Sequence, residues 1–142
     1  MEAKAQIYIP QVFRQFQGFE VRDLKEFQTK CEMEIILEAT KDKEHFCTVC
    51  DTKLGNQDGG YWIRARHMRM MNWAVYVLFR REKRHCPKCK KIRSEKIDFI
   101  SDQTPHVTKD LSWWVNRLTE ITSVLAVSRL ESIDKQTCYK LP

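Results

Sequence analysis

The sequence has little of what membrane spans, disulfide scaffolds and disordered tails require. Its longest uninterrupted apolar run, Trp73 to Phe79, is far short of the roughly 20 residues that cross a bilayer. The first 13 residues lack the apolar segment of a signal peptide. Six cysteines are too few for a disulfide scaffold, and four glycines with four prolines do not indicate a disordered chain. We therefore expect a folded, soluble, cytoplasmic protein without a membrane partner.

Positive charge is concentrated in one central stretch. Residues 61–97 carry 12 basic and 2 acidic side chains, a net charge of +10. Residues 1–60 have a net charge of −3, and residues 98–142 have a net charge of −1. A solvated basic face that serves solubility is the simplest explanation. Arginines and aromatic residues interleave here, however, which favours binding to nucleic-acid phosphates. The predicted DNA-binding residues of this stretch are Arg64, Arg66, Arg69, Arg80, Arg81, Lys83, Arg84, Lys90, Lys91 and Arg93.

Alternating apolar residues predict strands in the first two thirds of the chain. Residues 32–40 have the alternation of a half-buried strand, and residues 61–71 and 73–81 predict a hairpin with its bend at Asn72. In the N-terminal segment, residues 1–29, phenylalanines recur at a spacing of three and favour short helical turns.

Two Cys-x-x-Cys pairs, Cys47-Thr-Val-Cys50 and Cys86-Pro-Lys-Cys89, are separated by 35 residues. Each pair can present two thiolates at about the angle that tetrahedral zinc requires, and the predicted hairpin between them would bring the pairs together. A thioredoxin-like redox pair would need a βαβ context that is missing, and disulfides are unusual in a chain without a secretory signal. We predict one structural Zn²⁺ held by Cys47, Cys50, Cys86 and Cys89 in a zinc ribbon over residues 30–97.

Nothing in the sequence resembles an active site. It contains no glycine-rich phosphate loop, no nucleophile elbow and no His-Glu-x-x-His pattern. Zinc held by four thiolates keeps no open position for water. His45 and His85 adjoin the cysteine pairs and could each replace a sulfur, but we expect them to be surface neighbours of the site. We expect a binding protein that has no catalytic residues.

After Ile100 the apolar spacing becomes that of helices. Thr108 and Ser123 are predicted to cap two helices, and Asp134 can cap a third after a three-residue turn. This succession is typical of a helix-turn-helix, in which the last helix enters the DNA major groove, and a plain helical bundle is the alternative. We predict the unit over residues 106–142, with its outward DNA-binding side chains at Lys135, Gln136, Tyr139 and Lys140.

Several segments occur in an order that is familiar from one family. They are Cys47-Thr-Val-Cys50, the basic segment Arg80-Arg-Glu-Lys-Arg-His-Cys-Pro-Lys-Cys89 with the Ser94-Glu95 that follows, Thr108, and Ser123-Val-Leu-Ala-Val-Ser to Thr137-Cys-Tyr-Lys-Leu141. Over residues 20–141 the chain resembles the N-terminal part of insertion-sequence transposases of the ISL-three type, which carry a four-cysteine zinc ribbon, a helix-turn-helix and a DDE catalytic domain. The resemblance implies recognition of a mobile element's terminal inverted repeats, in a bacterial, nucleoid-associated setting. The chain stops where the catalytic domain would begin, so we expect no transposase chemistry from it.

Together these patterns predict an α+β fold, in which a small β-rich zinc ribbon is followed by a three-helix helix-turn-helix unit. The expected function is zinc-dependent, sequence-specific binding of double-stranded DNA, with homodimer formation left open. The alternative is a transposase-derived regulator or interaction module whose ribbon binds RNA or a protein and whose helices dimerise.

Overall fold

The computed structural model describes residues 16–133 and 135–141 of the chain. The strands of this part are β1 (Phe19–Phe27), β2 (Glu32–Ala39), β3 (Gln57–Arg66), β4 (Ala74–Cys86) and β5 (Lys91–Ser94). The helices are α1 (Lys109–Ile121), α2 (Val124–Glu131) and α3 (Lys135–Lys140).

The strands form one mixed sheet in the order β1-β2-β4-β3, and β5 pairs with the far end of β4. Neighbouring strands run antiparallel, except that β2 and β4 are parallel, with Ile35 opposite Val77. The 13 residues of β4 pair with β2 near its start, with β5 near its end and with β3 along most of its length. Because Cys86 ends β4, the sheet fixes the position of the second cysteine pair.

Apolar side chains at a spacing of two build the main core on one face of this sheet. Ile63 from β3 and Val77 and Phe79 from β4 are almost fully buried there. Phe16 and Phe99 close the core from outside the strands, and the ring of Phe99 packs edge-on against Phe79 with centroids 5.1 Å apart. The opposite face of β3 and β4 carries polar and aromatic side chains, and it remains partly open to solvent.

The helices form a second cluster that is fastened to the sheet. Leu111, Val115 and Leu118 of α1 are buried together with Val127 of α2, at the helical spacing that the sequence shows. Thr108 caps α1, since its Oγ1 accepts a hydrogen bond from the Leu111 amide at 3.3 Å. Ser123 caps α2 in the same way, through the Ala126 amide at 3.2 Å. Both predicted caps are confirmed, whereas Asp134 lies outside the described residues.

The fold class predicted from the sequence is wrong. The chain forms a mixed sheet of five strands with three short helices, in place of a small ribbon followed by a helix-turn-helix unit. The helices α2 and α3 have only 8 and 6 residues. Backbone hydrogen bonds join Arg66 in β3 to His106 and to Thr108, so the start of α1 is attached directly to the sheet. Helical spacing indicates where helices lie along the chain, but it does not indicate how they pack.

The helical turns expected around the phenylalanines of the N-terminal segment are wrong over Phe19–Phe27, which is a strand, and a short 3-10 helix, Gln28–Lys30, follows it. The phenylalanine spacing has a different origin: a turn at Gly18, with φ of +81°, lets the Phe19 amide bond to the carbonyl of Phe16. Both rings then enter the core. The strand at residues 32–40 and the hairpin formed by β3 and β4 are confirmed, with Met71 and Asn72 at the bend.

Within residues 16–133 and 135–141, none of the helices has the length and apolar character that a bilayer span requires.

Candidate metal centre and basic surface

The two Cys-x-x-Cys pairs fold into two knuckles of the same local geometry. The amide that donates to the first cysteine's Sγ differs: it is Val49, two residues after Cys47, in the first knuckle and Cys89, three residues after Cys86, in the second, both at 3.4 Å. The backbone turn is the shared feature. The residue after each pair, Asp51 or Lys90, has a positive φ of 59° or 54° and closes the turn onto the first cysteine's carbonyl. Glycine is the usual residue in this conformation. Because neither of these two residues is a glycine, the turn could not be recognised from the sequence.

The four sulfur atoms of the knuckles lie together, all within 4.8 Å of one another. The Sγ of Cys50 is 3.4 Å from that of Cys86 and 3.6 Å from that of Cys89, and Cys47 lies 4.0 Å from Cys89. Four sulfurs placed about 2.3 Å from a tetrahedral ion would be about 3.8 Å apart. The predicted grouping of these cysteines is confirmed, and the group could hold a metal ion.

The thiols of this group differ in acidity. Hydrogen bonds to the Thr52 hydroxyl and amide lower the pKa of Cys50 to about 6. A hydrogen bond to Cys50, together with burial, raises the pKa of Cys89 to about 11, and a hydrogen bond from the side chain of Arg93 opposes this rise. Metal binding requires thiolates, so binding at this group is coupled to proton release.

A second group of ligand-type side chains, His45, Glu82 and Glu95, lies beside the first knuckle. Its central carboxylate already has partners: the Nζ of Lys43 is 2.7 Å from Glu95 Oε2, His45 Nδ1 hydrogen-bonds the same oxygen, and the amide of Glu82 donates to Oε1. Burial alone would raise the pKa of Glu95, but these hydrogen bonds outweigh it and hold the pKa below its ordinary value. An ammonium group on the carboxylate disfavours a cation there, so we regard this group as structural support for the knuckle.

Six of the ten cations predicted to bind DNA in the central stretch are engaged inside the protein. Each of these contacts occupies some of the five N–H donors of its guanidinium and fixes the direction of the side chain. The contacts are Arg64 with Glu32 and Glu34, Arg66 with the His67 carbonyl and Glu131, Arg69 with Ser132, Arg81 with the Glu95 carbonyl, Arg84 with Glu82 and the Gly55 carbonyl, and Arg93 with Cys89.

The other four, Arg80, Lys83, Lys90 and Lys91, are exposed and make no ion pair with another described residue. Lys88, which the predicted set omits, is exposed in the same way. We call Lys83, Lys88, Lys90 and Lys91 the lysine surface. It covers the end of β4, the second knuckle and the start of β5, and it includes both faces of the β4–β5 ribbon, because Lys83 lies opposite Ser94 and Lys91 lies opposite Cys86.

The four residues predicted to read bases occupy α3. Gln136 and Tyr139 are exposed, and Lys135 and Lys140 belong to the same helix. Their predicted role depended on a helix-turn-helix, and that unit is absent from the described residues. We do not assign them a role.

Sequence reasoning missed three residues that shape the site: Thr52, Lys43 and Glu95. Thr52 follows the first knuckle and was detectable by its position. Lys43 and Glu95 are 52 residues apart in the chain, and no local sequence pattern predicts their contact.

The chain matched no family model, no curated protein and no solved structure in the comparisons with known proteins.

Proposed function

We propose that the chain is a zinc-dependent DNA-binding module, with Cys47, Cys50, Cys86 and Cys89 holding one Zn²⁺. The donor set supports zinc, because four cysteine sulfurs at near-tetrahedral spacing are a common structural zinc site. Such a site has no free position for water, so its role is to join the two knuckles. Metal binding would then stabilise the end of the sheet that carries the lysine surface.

The observation that carries the DNA-binding proposal is the lysine surface itself. Four exposed ammonium groups occur within nine residues and beside the candidate zinc site, and none is neutralised by a described carboxylate. Glu82, which precedes Lys83 in the chain, is already paired with Arg84 at 2.7 Å. A local surplus of unpaired cations attracts the phosphates of a polyanion.

The resemblance to ISL-three type transposases supplies the proposed target, the terminal inverted repeats of a mobile element. In that setting the chain binds double-stranded DNA in the cytoplasm at the nucleoid, and another part of the transposition machinery carries out strand cleavage. Four lysines that contact phosphates do not specify bases, so this proposal leaves base recognition to other exposed residues.

The salt dependence of duplex binding tests the proposal. Each phosphate contact contributes about −0.9 to the slope of log affinity against log salt. A variant with Lys83, Lys88, Lys90 and Lys91 changed to Gln is expected to bind more weakly, with a slope shallower by roughly 3–4. The matched control changes four exposed lysines elsewhere, Lys25, Lys30, Lys41 and Lys109, to Gln. Equal losses in both variants would show that net charge alone is responsible and would contradict the proposed surface.

A second candidate function, association of two copies, is favoured by two large apolar side chains that are exposed on α1. Trp113 is 60% exposed and Ile121 is 81% exposed, two helical turns further along. Water-exposed apolar groups of this size gain free energy when a partner covers them. Light scattering without DNA tests this candidate, since Trp113→Glu should convert a dimer to a monomer. A wild-type chain that is monomeric at all concentrations would exclude it.

A further inference from the structure

The sheet carries an aromatic residue and two cations that have no hydrogen-bond or ion-pair partner in the part of the chain that the structure describes. Trp62 in β3 lies directly opposite Arg80 in β4, and its indole is 60% exposed. Arg22, which is the additional residue at a bulge in β1, lies at the same recess. β-Bulges commonly redirect a side chain near binding sites.

These residues line a cavity of about 200 Å³ beside the sheet. Its walls include the apolar side chains of Phe19 and Leu37 as well as Trp62. Pockets for drug-sized ligands typically have roughly 300–1,000 Å³, so this one suits a single ring system. We exclude a wholly apolar ligand because two arginines, Arg22 and Arg80, line the cavity.

The charges at the cavity are consistent with a bound anion. Arg22 and Arg80 are exposed and make no ion pair with another described residue. Glu38 is also exposed, and it makes no ion pair with a described residue either. The two other carboxylates of the cavity, Glu82 and Glu95, are engaged by the Arg84 and Lys43 side chains. The uncommitted charges are thus two positive and one negative.

Gly60 contributes to the position of Arg80. A Cβ at Gly60 would stand 3.0 Å from the Nε of Arg80 and 2.8 Å from the carbonyl of Arg81, so only glycine lets the guanidinium lie against this strand. The side chain is therefore set next to Trp62 on the same face.

We propose that this recess binds one unpaired nucleotide of a DNA strand. The base stacks on the Trp62 indole, its amino group faces the carboxylate of Glu38, and Arg22 and Arg80 bind the adjacent phosphates. Paired bases hide their faces inside the duplex, so only an unpaired base can stack in this way. The inference rests on the proposed function for the choice of DNA as the polymer.

The recess and the lysine surface lie along one strand. Cys86 lies six positions after Arg80 in β4, which corresponds to about 20 Å of extended backbone. A duplex held by the lysine surface can therefore place a short unpaired end in the recess. This arrangement suits DNA with a frayed or single-stranded terminus.

The test compares a blunt duplex with the same duplex carrying a single-stranded overhang of about five nucleotides, using the zinc-loaded full chain and fluorescence anisotropy. Base stacking on an aromatic side chain contributes enough for the overhang to raise affinity about 5- to 150-fold. Trp62→Ala and Arg80→Gln should each reduce this gain while affinity for the blunt duplex changes little. The control is Phe27→Ala, which removes an exposed aromatic side chain at the end of β1 and should leave the gain intact.

A ligand-side control separates stacking from charge, because an overhang of abasic sites keeps every phosphate and lacks the bases. It should show little of the gain. The inference is overturned if the overhang gives no gain, if the abasic overhang gives the full gain, or if Trp62→Ala and Phe27→Ala reduce the gain equally. Loss of the proposed function would be visible separately, as absence of blunt-duplex binding by the wild-type chain.

Discussion

The carboxylate of Glu131 in α2 lies 4.0 Å from the guanidinium of Arg66 in β3, and both side chains are buried. The Nε1 of Trp114 donates a hydrogen bond of 3.1 Å to the other oxygen of Glu131. This pair joins the helical cluster to the sheet at the place where backbone bonds also join them. An arginine that composition assigns to DNA binding thus has a structural role.

Removing the charge of Glu131 is expected to destabilise the whole chain. Glu131→Gln keeps an oxygen for Trp114 but leaves the Arg66 cation buried without a counter-charge, and breaking a buried pair in this way costs about 3–5 kcal/mol. Chemical denaturation measures the change in the free energy of unfolding. The control, Glu120→Gln, removes an exposed partner of Arg117 and should cost at most about 1 kcal/mol. Equal effects of the two variants would contradict the structural role of the pair.

Thr108 should contribute more to the free energy of unfolding than an ordinary helix cap does. Its Oγ1 accepts from the Leu111 amide and also lies 2.9 Å from the Nδ1 of buried His67. Thr108→Ala removes both contacts, and we expect a loss of about 2–3 kcal/mol in the free energy of unfolding. Ser123→Ala removes only an exposed cap, with an expected loss of about 1 kcal/mol. A Thr108 variant that loses no more than the Ser123 variant would show that the His67 contact is energetically neutral.

Stability should fall with decreasing pH because of His67. Burial lowers the pKa of this imidazole, which the nearby Asp110 opposes, so the folded chain binds a proton less readily than the unfolded chain. The contribution is complete above the unfolded pKa, near 6.5, and is lost as the pH falls toward the folded pKa, with a slope of at most about 1.4 kcal/mol per pH unit. His67→Gln should be less sensitive to pH than wild type between pH 7 and pH 5. The exposed His106→Gln variant is the control and should follow the wild-type profile.

Arg93 should strengthen metal binding at the four cysteines. Its side chain hydrogen-bonds Cys89, and four thiolates around a dication carry an excess negative charge that a guanidinium offsets. Loss of such an outer contact typically lowers metal affinity about 10- to 100-fold, and Arg93→Gln should do the same. Competition with a chromophoric chelator measures the affinity. Arg129→Gln, which changes an exposed arginine on α2, should match wild type.

The parts of the structure that were predictable from the sequence are those with local causes. A Cys-x-x-Cys pair forms its knuckle from neighbouring residues, and Thr108 caps α1 through an amide three residues away. Alternating apolar residues likewise predicted β2. Each of these features is specified within a few residues of chain, so no knowledge of the rest of the fold was needed.

The failures concern contacts between distant segments. Nothing in the sequence of β2 indicates that its partner is the parallel strand β4, or that Glu32 and Glu34 engage Arg64 some 30 residues away. The helix-turn-helix was inferred from three helices in succession, yet their packing depends on attachments such as the one at Arg66. Charge counting located the basic stretch, but it did not separate engaged arginines from exposed lysines.

One measurement tests the central claim most directly: affinity for duplex DNA, followed while zinc is removed with a chelator and then restored. The proposed function predicts about one zinc per chain at the start, loss of DNA affinity in proportion to the zinc removed, and recovery on adding zinc back, because metal binding and folding of the knuckles are coupled. Cys50→Ser and Cys89→Ser should reproduce the zinc-free behaviour. A zinc-free chain that binds the duplex with full affinity, or a zinc-loaded chain that does not bind it at all, would contradict the account.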